Sequence, residues 1–277
     1  MGLRISTNIQ SMAAQRSLSE VKRNQGESLE RLASGNRINK AGDDAAGLAI
    51  SEKLKSQMRG TQQAARNAGD GISMIQTAEG GLNEVGNILV RLRELSIQSA
   101  SDTVGEKERA FSNMEFQQLK TELDRIAEST SFNDIALLSG EGERLDFQIG
   151  INNSEKNDRI SFDPSTSDVR LGSMGMNSLT VASKEGAQDN LAVIDNAINH
   201  VSSNRAQLGA LQNRLQSTIS NLETKNENMA AANSRIRDTD VAHETAELAK
   251  QNILTAAGTS VLAQANSANM NALKLIG

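Results

Sequence analysis

Cysteine, tryptophan and tyrosine are absent from this 277-residue sequence, proline occurs once, at Pro164, and phenylalanine five times. Without cysteine there are no disulfides and no thiolate metal sites. So few aromatic rings exclude both a globule filled by large side chains and a basic stripe interleaved with aromatics for nucleic acid. The near absence of proline leaves helices almost free of backbone breakers. No stretch approaches the ~18 consecutive apolar residues of a membrane span, which argues against membrane insertion. The first residues, MGLRISTNIQSMAAQRSLSEV, lack a continuous apolar core and a cleavage site. They suit a cytosolic protein, or one exported without a cleaved signal. Lys and Arg number 29 against 34 Asp and Glu, a net charge of −5, which suits solubility rather than a polyanionic partner.

What is present is Ala, Leu and Ile in a background of Asn, Ser and Gln, the material of long helices meeting along narrow seams. From Ile5 to Leu32 a weak helical stripe runs through Ile9, Met12, Leu18, Val21 and Leu29. Gly35 and Asn36 interrupt it, and a polar segment, INKAGDDAAG, follows. The paired aspartates predict a second helix starting near Asp43–Ala45. Within it Ile75, Ala78, Leu82, Val85, Leu89 and Leu92 keep the alternating three-and-four spacing of a coiled-coil seam. Gly80, Gly81 and Gly86 weaken helix propensity there, so packing must hold it. A helix from about 45 to 100 would be roughly 80 Å long at ~1.5 Å per residue. The chain should turn around Ser101–Gly105 into a third helix with Phe116, Leu119, Leu123 and Ile126 on one face.

The only period-two pattern is Leu145, Phe147, Ile149 and Ile151, with short strand candidates at Arg159–Asp163, Val169–Leu171 and Leu179–Val181. SFDPSTSDVRLGSMGMNS is Ser/Gly-rich and is expected to be an exposed tip. The helical signal then returns: Ile194, Ala197, Val201, Leu208, Leu211, Leu215, Leu222 and Met229 share one heptad frame, with Asn204, Thr218 and Lys225 as its polar members. A last stripe holds Val241, Leu248, Ile253, Val261 and Leu262 and leads to Leu273 and Leu275.

The expected fold is mainly α with a small β part. Helices from both termini form a long antiparallel coiled-coil or bundle rod, with β-hairpins at its far end. The expected division is 1–45 and 236–277 as an inner coiled-coil domain around an outer rod domain of 46–235. Within the latter, helices are expected at about 46–100, 106–129 and 186–235, and hairpins at about 131–182. Both terminal stripes are thin and rich in small residues. A monomer should therefore bury its ends poorly, and they are expected to order only when other subunits cover them.

Specific motifs carry a resemblance. ERLASGNRINKAGDDAAGLAI (Glu30–Ile50), RNAGDGISMIQTAEGGLNEV (Arg66–Val85), RLRELSIQSAS (Arg91–Ser101), STSFNDIALLSG (Ser129–Gly140) and the run Glu227–Asn266 resemble, in order, the signatures of bacterial flagellins. The resemblance implies a filament subunit for motility, secreted to the extracellular flagellum and lacking catalytic residues, metal and cofactor. It implies a minimal form, without large variable outer domains, that passes unfolded through the flagellar type III secretion apparatus. Its implied partners are other subunits in a helical homopolymer, a chaperone on Val241–Gly277 during export, and junction and cap proteins. Flagellins recognised by Toll-like receptor 5 present an Arg, a Leu and a Glu that are similar to Arg91, Leu95 and Glu115. The terminal stripes, from Ile5 to Leu32 and from Val241 to Leu275, would be the polymerisation seams.

Rival readings fit less of the chain. A hook–filament junction protein would share the terminal architecture, and a cytosolic coiled-coil adaptor would explain the heptads but not the motif order. An enzyme would rest on His243-Glu244-Thr245-Ala246-Glu247, half of a zinc-protease helix in which Glu247 stands where a second histidine is needed. The glycine pairs lack the strand–loop–helix context of a phosphate loop.

Overall fold

A computed structural model of the chain describes residues 7–274, with side-chain surroundings for 7–267. Six helices account for most of it: α1 (Ile9–Ser34), α2 (Ala45–Ala100), α3 (Glu106–Ser129), the single turn α4 (Glu155–Asp158), α5 (Lys184–Arg237) and α6 (Val241–Lys274). Two antiparallel hairpins interrupt them, β1 (Ser131–Phe132) with β2 (Ile135–Ala136), and β3 (Leu145–Gln148) with β4 (Arg159–Phe162). The chain divides into two compact units, Met1–Ser56 with Asn228–Gly277, and Gln57–Glu227.

The helix ends follow the local chemistry. Asn8 caps α1 by accepting from the Ser11 N–H at 3.0 Å, and Gly35 closes it in the left-handed conformation at φ 69°. Asp44, directly before α2, accepts from the Gly47 N–H at 2.8 Å, so one of the two aspartates starts the second helix. Between Asn133 and Asp134, both at positive φ, a two-residue turn closes the β1–β2 hairpin with the mirror-image twist that suits paired strands.

The second unit holds the core. Ile75, Ala78, Leu82, Val85, Leu89 and Leu92 of α2 are buried, as are Phe116, Leu123 and Ala127 of α3 and Ile194, Ala197, Val201, Leu208 and Leu215 of α5. The ion pairs Arg93–Asp195 at 2.6 Å and Arg205–Glu79 at 3.8 Å show that α2 and α5 run antiparallel in this unit. The glycines that weaken α2 on propensity have different surroundings. A Cβ on Gly81 would lie 2.7 Å from both Leu138 Cδ1 and Thr130 Oγ1, so the missing side chain lets the first hairpin close onto the helix. A Cβ on Gly80 would meet open space.

Three expectations for the middle of the chain need correction. Val169–Leu171 and Leu179–Val181 are not strands. Polar side chains of α3 take the backbone groups that a ladder would have used: Asp124 accepts from the Leu171 N–H at 2.9 Å and Asn113 from the Val181 N–H at 3.1 Å. Lys120 donates to the carbonyls of Asn177 and Leu179 at 2.9 and 3.1 Å, and burial lowers its pKa below the ordinary lysine value. Second, the strand from Leu145 ends at Gln148, because the Ile149 and Gly150 amides both turn to the Asp158 carbonyl. Third, the Ser/Gly-rich segment is not an exposed tip. Phe162, Pro164, Val169, Leu171 and Met176 are buried, with Pro164 opening a 3-10 turn.

Candidate assembly surface

In the first unit α1 lies against α6, and much of what joins them is polar. Asn8 donates to the Ala265 carbonyl at 2.9 Å, Ser11 to Asn266 at 2.8 Å and Gln25 to Asn252 at 2.6 Å. A Cβ on Gly258 would come within 3.2 Å of Leu18 Cδ1, so a small residue sets the close approach there. Leu18, Val21 and Leu32 of α1 and Leu248 and Leu262 of α6 are half-buried. Among the described residues, the buried apolar side chains of this unit are Ile38 and Met229. A pair of helices of 26 and 34 residues thus has almost no core of its own.

The other members of the terminal stripes face outward. Ile9, Met12 and Leu29 of α1 are exposed, and so are Val241, Ile253 and Val261 of α6, with Ile253 at 70%. Ile253 lies about 140° around the helix from the half-buried Leu248. Apolar residues therefore surround α6 instead of forming one stripe, a pattern that normally belongs to a helix buried on all sides. Ile5 and Leu275 lie outside the described residues, and the surroundings of Leu273 are likewise not described.

The loops joining these helices to α2 and α5 are tied together by backbone. Arg37 N–H donates to the Arg237 carbonyl at 2.6 Å, Thr239 N–H to the Gly35 carbonyl at 3.0 Å, and Asn36 and Asp238 form an antiparallel bridge. Arg37 Nη2 reaches the Ile236 carbonyl at 2.8 Å, and Arg237 pairs with Glu52 at 2.6 Å. Asp43 gathers the Asn39 and Lys40 amides at 2.9 Å each, and these bonds, that of Lys40 first, hold its carboxyl below the usual aspartate range.

Because the folded pKa is lowered, this stabilisation is full above the ordinary aspartate value and is lost as pH falls through the lowered one. Amide exchange protection at Asn39 and Lys40 should therefore fall on acidification in the wild type. It should be low at all pH values in Asp43→Ala, which has no side-chain acceptor.

The HETAE segment forms no metal centre geometry. His243 is exposed, Glu247 is bonded to Lys250 at 2.9 Å, and Glu244 is buried beside Arg31 at 3.8 Å. Among the described residues no three His, Asp or Glu converge closely enough to hold a metal ion.

The residues singled out for receptor recognition separate. Arg91 Nε and Nη2 both reach Glu115 Oε1, at 2.8 and 2.7 Å, while Nη1 reaches Glu94 at 3.0 Å. Exposed Val90 and Ile97 lie on the same helix, and Phe111 and Met114 on α3 beside Glu115. Leu95, expected on the surface with Arg91, is instead 2% exposed and belongs to the core of the second unit. Its i, i+4 relation to Arg91 places it close around the helix, but on the buried side of the boundary.

Comparison with known proteins assigns this arrangement. The model of the bacterial flagellin N-terminal helical region matches residues 5–143, and that of the C-terminal helical region matches 191–276. The chain belongs to the bacterial flagellin family. It is 45% identical to a flagellin of Halalkalibacterium halodurans, over 98% of this chain and 99% of the relative. To a flagellin of Bacillus subtilis it is 40% identical, over 99% and 100%. A crystal structure of Bacillus cereus flagellin covers 61% of this chain and 94% of its own, at 28% identity and a TM-score of 0.50. This flagellin is thus a structural, non-enzymatic subunit of the extracellular flagellar filament and serves motility.

In α1 nothing in the sequence pattern separated the inward from the outward members of the stripe. The signal was available in α6, whose apolar residues cannot be placed on a single face.

Proposed function

We propose that α1 and α6 are the polymerisation seams of this flagellin, and that the filament is completed when neighbouring copies cover their outward apolar residues. The observation that carries this reading is the contrast between the units: a filled core in the second, and in the first exposed Ile9, Met12, Leu29, Val241, Ile253 and Val261 on paired helices. Subunits related by a non-closing rotation and rise make heterologous contacts and grow without limit. Removing 1–34 or 241–277 should leave the second unit folded and abolish filaments seen by electron microscopy. Filaments from either truncated chain would refute the seam.

The same exposed helix supplies a physical motive for a chaperone on Val241–Gly277 before polymerisation, since an uncovered apolar helix associates indiscriminately. The flagellin relationship supports export of the unfolded chain through the flagellar type III apparatus, with junction and cap proteins at the ends of the polymer.

Recognition by Toll-like receptor 5 is read onto Arg91 and Glu115, with Leu95 holding the helix from beneath. Both charged partners are about half exposed, so their bridge adds little to stability, and its use is to fix a guanidinium on the surface. Arg91→Ala should lower receptor signalling by roughly tenfold or more, the scale of one interface anchor, with unchanged thermal unfolding. Full signalling by that variant would remove the residue from the site.

A further inference from the structure

The first unit carries a cleft between α1 and α6 in which two acceptors, Gln251 Oε1 and the Glu244 carboxylate, accept no hydrogen bond among the described residues. Asn24, Ser28 and Arg31 line one side, and Asp240, Glu244, Glu247 and Gln251 the other. Gln251 is 6% exposed, and its Oε1 has no hydrogen-bond partner among the described residues. Its amide nitrogen is already committed to Glu247 at 3.3 Å, so the free oxygen can only accept. Glu244, 5% exposed, has Arg31 as its ionic partner at 3.8 Å, beyond hydrogen-bond reach, and its carboxylate accepts no hydrogen bond among the described residues. A buried amide oxygen left in this condition is costly, and a cationic hydrogen-bond donor relieves it while adding a second positive partner for the Glu244 carboxylate one heptad away. Glu27 and Asp238 add further negative charge to the lining, which its guanidiniums Arg31 and Arg37 do not balance.

A donor of that kind is present on the opposite kind of surface. Arg16 and Arg23 stand one heptad apart on one exposed face of α1, about 140–180° around the helix from the half-buried Leu18 and Leu32. Among the described residues neither has an ion-pair or hydrogen-bond partner. A homopolymer built from heterologous contacts brings two different patches of the same chain together. A cation-bearing helix face and an electron-rich cleft on one unit form such a pair.

We propose that the cleft accepts the guanidinium of Arg16 or Arg23 from a neighbouring copy of this chain, a contact that rests on the filament reading and names one of its locks. The incoming donor meets Gln251 Oε1 and the Glu244 carboxylate, with Glu247 at the mouth. Arginine suits this role better than lysine, since its planar fork serves two acceptors at once. The contact is directional, because the cleft of one subunit is filled only by the α1 face of another. It thereby sets which way subunits stack.

The absence of cysteine from the chain makes the test clean. The Glu247→Cys variant is mixed with Arg16→Cys, and separately with Arg23→Cys, polymerised from wild-type seeds and treated with a short bis-maleimide, because an Arg–Glu contact leaves the two Cβ atoms beyond disulfide reach. One mixture should yield a cross-linked dimer whose peptide map joins position 247 to 16 or 23, and no such dimer should form among unpolymerised monomers. In a second measurement Glu247→Arg should slow seeded elongation roughly tenfold. Adding Arg16→Glu and Arg23→Glu to the same chain should restore much of the rate. Filaments that form normally but yield neither cross-link overturn the contact and leave polymerisation through the ends intact. Wild-type chains that never elongate seeds would overturn the filament reading, and the contact with it.

Discussion

Ile253→Glu should abolish filament growth while leaving the monomer as stable as the wild type. The residue is 70% exposed, so the substitution removes no contact within the chain and opens no cavity. Glutamate is also a good helix former, and the site is far from both ends of α6, so the helix itself has no reason to fray. In a polymer the same position would be covered by apolar groups of another copy. A carboxylate placed there loses its water without gaining a partner, which costs several kcal/mol at each of many identical contacts. Sedimentation after seeding reads the polymer, and thermal unfolding by circular dichroism reads the monomer. Loss of pelletable filament with an unshifted unfolding curve is the expected pair of results. Growth at the wild-type rate would mean that this face of α6 stays in water.

Phe116→Ala should have the opposite signature, a destabilised second unit. Phe116 is fully buried on α3, in a core built, Phe162 apart, from Leu, Ile, Val, Met and Ala. Side chains on packed helices relax only in part around such a deletion, so a cavity remains. Truncations of this kind cost about 3–5 kcal/mol. Urea unfolding followed by the helical signal should show a midpoint shifted far downward. If the cost stayed below about 1 kcal/mol, the typical effect of an ordinary substitution, the site would have collapsed around the cavity.

These contrasting variants restate what the sequence does and does not disclose. The heptads of α2 and α5 were legible because burial in the second unit follows the periodicity: Leu82, Val85, Leu89 and Leu92 are all at 0% exposure. The helix starts at Ala45 and the turn at Ser101–Gly105 were legible from capping and glycine chemistry. The β1–β2 hairpin was visible only as part of a motif, since two strands of two residues have no period to read. Val169–Leu171 and Leu179–Val181 misled because alternation reports burial, and here burial is achieved by irregular backbone tied to Asn113, Gln117, Lys120 and Asp124. Side-chain acceptors and donors distant in sequence leave no local trace.

The terminal helices were legible in a different sense. Their motifs and weak stripes identified them, yet Leu18 and Met12 look alike in the sequence and differ in fate, one half-buried against α6 and the other exposed. Leu95 is the converse case. The resemblance implied a surface shared with Arg91, but a helix lying against a core has a sharp boundary, and the two residues fall on either side of it. Tertiary packing decides such boundaries, and periodicity fixes only the angle between residues.

As the proposed seams, α1 and α6 are an incomplete pair in the monomer and a completed one in the filament. Hydrogen–deuterium exchange of the same protein in both states tests this most directly. Peptides from Ile9–Ser34 and from Val241 onward should exchange rapidly in the monomer and become strongly protected in filaments, while those of α2 around Leu89 are protected in both. Equal protection of the terminal helices in monomer and filament would contradict the account.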